Sequence, residues 1–208
     1  MEHLTKLFHI LELTRKQPQY GYAVNGGDMP LSNLAEHQYL VAMLAWQIAA
    51  SLNTKGAKID IKKVLELSLV HDLGELFGGD ISMRYRKANP EAYKHAKKFE
   101  IENQRYLSGL FGAQKGYFAD LLKEEQAFES DESRIAKIAD YIEAVHFKMY
   151  ANKFMKSDVE LISSTFIKMI QGMEDKIAKK FLTQFVQGWK KDMLKDVSFA
   201  DTVAKIFS

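Results

Sequence analysis

Apolar side chains recur at intervals of three and four residues along most of this chain, which is the spacing of α-helices that bury one face. Alternating apolar and polar positions, which mark half-buried strands, form no convincing run, and the sequence contains no repeat or low-complexity segment. Only three prolines and twelve glycines occur in 208 residues, so few long loops are expected. The pattern predicts an all-α fold in a single domain, residues 1–208.

Capping residues and glycines divide the chain into predicted helices. Ser32 is predicted to cap the second helix, with Glu36 supporting the cap much as in a capping box. Gly78-Gly79 is predicted to end the third helix just after residue 76. The predicted helices cover about residues 4–16, 33–52, 60–76, 89–110, 118–128, 132–151 and 158–172, with one or two more between 174 and 208, and residues 17–31 are predicted to form a loop.

Composition excludes several kinds of site. The chain has no cysteine, which rules out disulfides, iron–sulfur clusters and thiolate zinc sites, so any metal must be bound by imidazole and carboxylate groups. A formal net charge of +2 without a basic stripe predicts no nucleic-acid partner. The N-terminus shows no signal-peptide pattern, and no window reaches about 18 apolar residues. We therefore expect no membrane association and a cytoplasmic location.

Four polar side chains stand out because they lie within or at the end of apolar helical patterns. These are His37, the adjacent pair His71-Asp72, and Asp140. Burying an unpaired charge on the inward face of a helix costs several kcal/mol or more in folding free energy, as an order of magnitude. A shared divalent metal ion would remove that cost for all four groups together, so the set predicts a site with two histidines and two carboxylates.

Each of these residues also has a simpler interpretation when it is taken alone. His37 alone would be a core histidine whose ring nitrogens are hydrogen-bonded, and Asp140 alone would form an ion pair with Lys137. Two further acids follow the His-Asp pair: Glu75 alone would be a solvated helix-end residue, and Asp80 alone a turn residue after two glycines. The combination of all the residues favours the metal site over coincidence.

The order of these residues resembles the HD-domain metal-dependent phosphohydrolase superfamily, in which a histidine, a His-Asp pair and a distal aspartate lie on separate helices. The flanking segments, residues 34–39 and 69–81, resemble the branch of bacterial 5′-deoxynucleotidases and their eukaryotic relatives. The resemblance implies a helical HD-domain fold with its motif core at about residues 30–150 and the helices of 158–208 packed on it. It also implies that His37, His71, Asp72 and Asp140 bind one divalent ion, and that Glu75 and Asp80 are catalytic.

Three residues are candidates for binding the substrate. The branch usually carries an Arg-Trp or Gly-Trp element ahead of the first ligand histidine, and here Tyr22, which follows Gly21, stands in the place of the tryptophan. Tyr22 could stack on a base, but a tyrosine in a glycine-rich loop is as often explained by simple packing. Arg84 and Arg86 lie close to Asp80 in sequence, and one of them could neutralise a phosphate, although a solvated surface run is the simpler interpretation for most of this basic segment.

The expected activity is hydrolysis of the phosphomonoester of 5′-(deoxy)nucleoside monophosphates with one manganese, cobalt, iron, nickel or zinc ion. An HD phosphodiesterase or triphosphohydrolase that acts on another small phosphate is the alternative. A catalytically inactive helical interaction module is the further alternative. The expected partner is a small-molecule nucleotide, and part of the apolar surface could build a homodimer.

Overall fold

The computed structural model describes residues 2–25, 31–195 and 198–207. Within these ranges the chain is helical and contains no strand, apart from an isolated antiparallel bridge between Pro18 and Asn33. The all-α prediction is therefore confirmed. The helices of the described ranges are α1 (Glu2–Leu11), α2 (Leu34–Thr54), α3 (Ile61–Val70), α4 (Met83–Ala88), α5 (Pro90–Ser108), α6 (Lys115–Ala127), α7 (Asp131–Tyr150), α8 (Lys156–Gln171), α9 (Lys176–Met193) and α10 (Phe199–Ile206).

The chain divides into two compact units. The first unit consists of Met1–Leu40 and Glu66–Ala127, and the second consists of Val41–Leu65 and Phe128–Ser208. The arrangement as a single domain stays a prediction. Among the residues described here, no helix combines the length and the apolar character that crossing a bilayer requires.

Short polar side chains start several helices where the sequence predicts them. Asp60 Oδ1 accepts a hydrogen bond from the Lys63 N–H at 3.1 Å and thereby caps α3. Asn89 Oδ1 does the same for α5, whose first residue is Pro90. Ser130 caps α7. Each of these caps satisfies one backbone N–H that has no partner within the first turn of a helix.

The cap of α2 is displaced by one residue from its predicted position. Asn33, not Ser32, accepts the hydrogen bond from the Glu36 N–H, at 3.0 Å, and Glu36 Oε2 accepts in return from the Asn33 N–H at 3.4 Å. The two residues form the reciprocal bonds of a capping box. The predicted role of Glu36 is therefore confirmed, with Asn33 as its partner.

The third helix is shorter than its apolar pattern predicts. The pattern predicts a helix as far as residue 76, but α3 ends at Val70, and a 3₁₀ turn over Leu73–Glu75 follows. Leu73 and Leu76 are still buried, so they continue the apolar pattern without continuing the helix. His71 and Asp72 consequently lie beyond the helix end.

Other segments also differ from the predictions. The predicted loop over residues 17–31 contains a 3₁₀ helix, Tyr20–Asn25, and α4 lies between the third and fourth predicted helices, where no helix is predicted. Residues 26–30 of the first loop lie outside the described residues. The fifth predicted helix begins three residues earlier than expected, since Gly116 lies inside α6.

The second unit is organised around α7, α8 and α9. Ile135, Ile138, Phe166 and Leu182 are almost completely buried there. The Asp131 carboxylate at the start of α7 accepts hydrogen bonds from the backbone N–H groups of Glu174 and Asp175, at 2.9 and 2.8 Å. The start of α7 therefore holds the connection between α8 and α9.

A histidine of this unit provides a prediction about stability. Trp189 Nε1–H on α9 donates a hydrogen bond to His146 Nε2 on α7 at 3.0 Å, so His146 must keep a lone pair on that nitrogen. Burial lowers the pKa of His146 below its ordinary value of 6.5. At a pH above 6.5 the residue is neutral in both the folded and the unfolded chain, and its contribution to stability is complete. As the pH falls below 6.5, the unfolded chain binds the proton first and stability is lost.

We therefore expect the free energy of unfolding to decrease between pH 7.5 and pH 5.5 more steeply in the wild type than in His146→Gln. The glutamine amide oxygen can accept the Trp189 hydrogen bond but does not titrate. Urea unfolding at a series of pH values measures the two slopes. Because the two proteins differ only at position 146, the contributions of the rest of the chain cancel in the comparison. Equal slopes would show that His146 is not responsible for acid sensitivity.

Candidate metal centre

His37 lies in the first turns of α2 and is almost completely buried, with 1% of its surface exposed. Its backbone N–H donates to the Asn33 carbonyl at 3.1 Å, so the histidine is part of the regular helix directly after the cap. Leu34, one turn before it, is equally buried. The inward orientation predicted for His37 from this spacing is confirmed.

His71 follows directly after the end of α3 and is 4% exposed. Its Nδ1–H donates a hydrogen bond to the Ser68 carbonyl at 2.8 Å. Ser68 belongs to the last turn of α3, directly before the helix end. This bond places the proton of the neutral imidazole on Nδ1, and Nε2 therefore carries a lone pair.

Three side chains of the first unit converge at this point. His71 Nε2 lies 3.2 Å from His37 Nε2 and 3.2 Å from Asp72 Oδ2, and His37 Nε2 lies 3.5 Å from the same carboxylate oxygen. The two imidazole rings are tilted by 54° with centroids 5.3 Å apart. The ligand atoms of His37, His71 and Asp72 can therefore face one common point.

The charge of this cluster is negative when both histidines are neutral. Burial of Asp72, whose side chain is 17% exposed, would by itself raise the pKa of its carboxyl. Attraction to the His71 and His37 rings in their protonated, positively charged form, together with the hydrogen bonds that these charged rings donate, outweighs burial and holds this pKa well below its usual range. Asp72 is thus a carboxylate at neutral pH, which is the protonation state that a metal ligand needs.

The cluster fits a divalent metal ion. Zinc–nitrogen and zinc–oxygen bonds of about 2.0–2.2 Å place neighbouring ligand atoms roughly 3.0–3.5 Å apart in octahedral or tetrahedral geometry. The three ligand atoms lie within 4.8 Å of one another, and the individual separations of 3.2–3.5 Å match this range. The second nitrogen of His71 donates to a backbone carbonyl, as is usual for histidines that bind metals.

Asp140, the predicted fourth ligand, belongs to the second unit and lies on α7. Its carboxylate forms an ion pair with Lys137 Nζ at 2.7 Å, the simpler interpretation that the sequence offers for this residue. The Lys137 ammonium also lies 5.4 Å from the centre of the Tyr141 ring. A role of Asp140 as a metal ligand stays a prediction.

The two predicted catalytic acids follow the cluster in the first unit. Glu75 is the last residue of the 3₁₀ turn, and its N–H donates to the Asp72 carbonyl at 2.9 Å. Gly78 and Gly79, directly before Asp80, have φ values of 103° and 111°, which other residues rarely adopt. Asp80 Oδ2 accepts a hydrogen bond from the Gly21 N–H at 2.5 Å.

The predicted substrate-binding residues lie in different surroundings. Tyr22 is 7% exposed, and its segment, Tyr20–Asn25, is joined to Asp80 through Gly21. Arg84 is exposed on α4, whereas the guanidinium of Arg86 lies over the Tyr93 ring, 5.3 Å from its centre. Their roles toward a substrate stay predictions.

Sequence reasoning missed two groups that hold the site in place. The Ser68 carbonyl fixes the His71 tautomer, and Asn103 Nδ2 donates to the Gly74 carbonyl in the 3₁₀ turn at 2.8 Å. The first contact depends on the end of α3 at Val70, which the apolar pattern of the sequence does not indicate. No local pattern indicates the second, because Asn103 is 29 residues away in sequence.

Comparison with known proteins identifies similar chains among nucleotidases. The chain is 27% identical over 147 residues to a 5′-deoxynucleotidase from Dictyostelium discoideum. The matched stretch covers 70% of this chain and 75% of that protein. It is 32% identical over 112 residues to a 5′-deoxynucleotidase from Vibrio cholerae. This matched stretch covers 53% of this chain and 57% of that protein. The match therefore spans little more than half the length of the bacterial relative.

An HD-domain phosphohydrolase from Listeria innocua has a similar solved structure. Its TM-score is 0.70 at 20% sequence identity, with 93% of this chain and 90% of that chain covered, and this likeness shows the fold alone. The family model of the HD domain matches residues 17–182, which is well over half of the 208 residues. The chain therefore belongs to the HD domain family and to the HD phosphohydrolase superfamily.

Proposed function

We propose that this protein is a metal-dependent phosphohydrolase that hydrolyses the phosphomonoester of 5′-(deoxy)nucleoside monophosphates. The observation that carries the proposal is the convergence of His37, His71 and Asp72 in a chain of the HD domain family. The 5′-deoxynucleotidases among the similar chains support the substrate class.

The three clustered residues would hold the ion, and the family pattern adds Asp140 as the proposed fourth ligand. A divalent ion bound there supplies Lewis acidity, which acidifies water and polarises a phosphoryl oxygen. The nitrogen and carboxylate ligands suit manganese, cobalt, iron, nickel or zinc. His71 contributes a fixed lone pair, since its other nitrogen is committed to the Ser68 carbonyl.

Glu75 is the proposed proton-transfer group. The 3₁₀ turn places it three residues after Asp72, and its backbone N–H is bonded to the Asp72 carbonyl. Its carboxylate would accept a proton from the attacking water or, in its acid form, protonate the leaving alkoxide of the nucleoside.

Asp80 has two proposed tasks. Its carboxylate would transfer the second proton or orient a sugar hydroxyl. Through the Gly21 N–H it also anchors the segment that carries Tyr22, the residue proposed to lie beside the base. Arg84 or Arg86 would neutralise the phosphate, as arginine does at phosphate sites.

The first test removes a metal ligand. His71→Ala and Asp72→Ala are each expected to abolish tight Mn²⁺ or Co²⁺ binding and phosphate release from a panel of deoxynucleoside and nucleoside monophosphates. His95→Ala, which changes an exposed histidine on α5, is the matched control and should behave like the wild type. Isothermal titration and a phosphate assay measure the two properties. Turnover that survives in both ligand variants would contradict the proposal.

The second test separates proton transfer from metal binding. Glu75→Gln preserves size but removes the ionisable group, so it is expected to retain the Mn²⁺ affinity and to lower kcat by about 10²–10⁴-fold. Glu102→Gln, an exposed position on α5, controls for the loss of one negative charge. A Glu75→Gln enzyme with wild-type kcat would exclude this residue from the chemistry.

The third test divides the two tasks of Asp80. Asp80→Asn retains an oxygen that can accept from the Gly21 N–H, whereas Asp80→Ala does not. Both variants are expected to lower kcat, but only Asp80→Ala should raise KM, by roughly tenfold, which corresponds to the loss of a hydrogen bond to a charged group. Steady-state kinetics with one nucleotide measure both constants. Equal KM values in the two variants would rule out the anchoring task.

A further inference from the structure

The 3₁₀ turn Leu73–Glu75 lies directly against the backbone of α5. A Cβ atom added to Gly74 would lie 2.5 Å from Glu100 Cγ, 2.9 Å from Gln104 Cγ and 3.0 Å from the Glu100 carbonyl oxygen. These distances are shorter than van der Waals contact, and one of them involves backbone that cannot rotate away. Only glycine therefore allows the turn to approach the helix this closely.

One side chain of α5 binds the turn at the point of closest approach. Asn103 is 9% exposed, and its Nδ2 donates to the Gly74 carbonyl at 2.8 Å in a buried hydrogen bond. Gly74 therefore contacts α5 in two ways. It has no side chain that would hold the turn away from the helix, and its carbonyl accepts a hydrogen bond from Asn103 of the helix. The turn is fixed in distance by one contact and in orientation by the other.

The face of α5 that receives the turn is itself held in place. Glu100 forms hydrogen bonds with Lys97 Nζ at 2.8 Å and with Gln104 Nε2 at 3.2 Å. Gln104 in turn accepts a hydrogen bond from Gln126 of α6. Neighbouring side chains therefore support the surface against which Gly74 rests.

We propose that Asn103 is a positioning residue for Glu75. Two backbone hydrogen bonds hold Glu75 in this turn. The Glu75 N–H donates to the Asp72 carbonyl at 2.9 Å, and the Gly78 N–H donates to the Glu75 carbonyl at 2.8 Å. Asn103 holds the middle of this turn, so it sets the position of Glu75 relative to the Asp72 ligand. This inference rests on the proposed function, in which Glu75 transfers a proton at the metal centre.

A purely structural role for Asn103 makes a different prediction. If the amide only satisfied a buried carbonyl, its removal would lower stability without a specific effect on chemistry. A residue that positions a catalytic group instead lowers kcat while it leaves KM almost unchanged, because the substrate is still bound but the proton-transfer group is displaced.

The experiment compares Asn103→Leu with Ser108→Ala in the full chain. Leucine has the same number and branching of side-chain heavy atoms as asparagine but cannot donate to the Gly74 carbonyl. Ser108 is also buried on α5, and its hydroxyl bonds only to carbonyls of its own helix, Gln104 and Arg105, so its removal is the matched control. Asn103→Ala is the milder variant, because it leaves room for a water molecule at the carbonyl.

Asn103→Leu is expected to lower kcat by about 10–100-fold with an unchanged KM, as loss of an outer hydrogen-bond partner typically does. Amide hydrogen exchange should accelerate in peptides from residues 71–80 and not elsewhere. Asn103→Ala should show the same changes to a smaller degree, and Ser108→Ala should show none of them.

Hydrogen exchange keeps this test independent of the proposed activity. If the wild type hydrolyses none of the nucleotides, the proposed function fails, while exchange in residues 71–80 still decides whether Asn103 holds the turn. If Asn103→Leu and Asn103→Ala match Ser108→Ala in kcat and in exchange, the positioning role is overturned. Acceleration of exchange throughout the first unit would equally overturn it, since that result indicates general loosening.

Discussion

The end of α3 at Val70 is the constraint on which the candidate centre depends. In a continuous helix, His71 and Asp72 would point about 100° apart around the axis. Because the helix stops, Asp72 adopts φ −108° and ψ 10°, and both side chains turn toward His37. The same helix end brings His71 next to the last turn of α3, where its Nδ1–H donates a hydrogen bond to the Ser68 carbonyl. The end of the helix thus sets both the direction and the tautomer of His71, the central candidate ligand.

Local chemistry made most helix starts predictable, but it could not locate this helix end. The caps by Asp60, Asn89 and Ser130 depend only on a short polar side chain and the next three residues. The apolar pattern continues through Leu73 and Leu76 because both are buried in the turn. The turn that follows the helix end packs against α5 at Gly74, a tertiary contact that local periodicity does not contain.

The positions of the candidate ligands were also predictable only where they depend on local sequence and not on contacts between distant segments. His37 shares a face with buried apolar neighbours inside one helix, so its burial follows from spacing. The pairing of His71 and Asp72 with His37 joins segments 34 residues apart, and only their chemical type and order suggested it. Asn103 carried no signal at all, since an asparagine in a predominantly polar helix is ordinarily a surface residue.

Backbone groups fix the side chains of this centre at three points. The Ser68 carbonyl accepts from His71, the Gly21 N–H donates to Asp80, and the Gly74 carbonyl accepts from Asn103. A backbone partner cannot be removed by substitution of its own side chain, so these contacts depend on the path of the chain. Gly21 and Gly74 are also positions where an added Cβ would lie within 3.0 Å of a neighbouring atom. The centre therefore requires particular backbone conformations and close approaches as strictly as it requires its histidines and carboxylates.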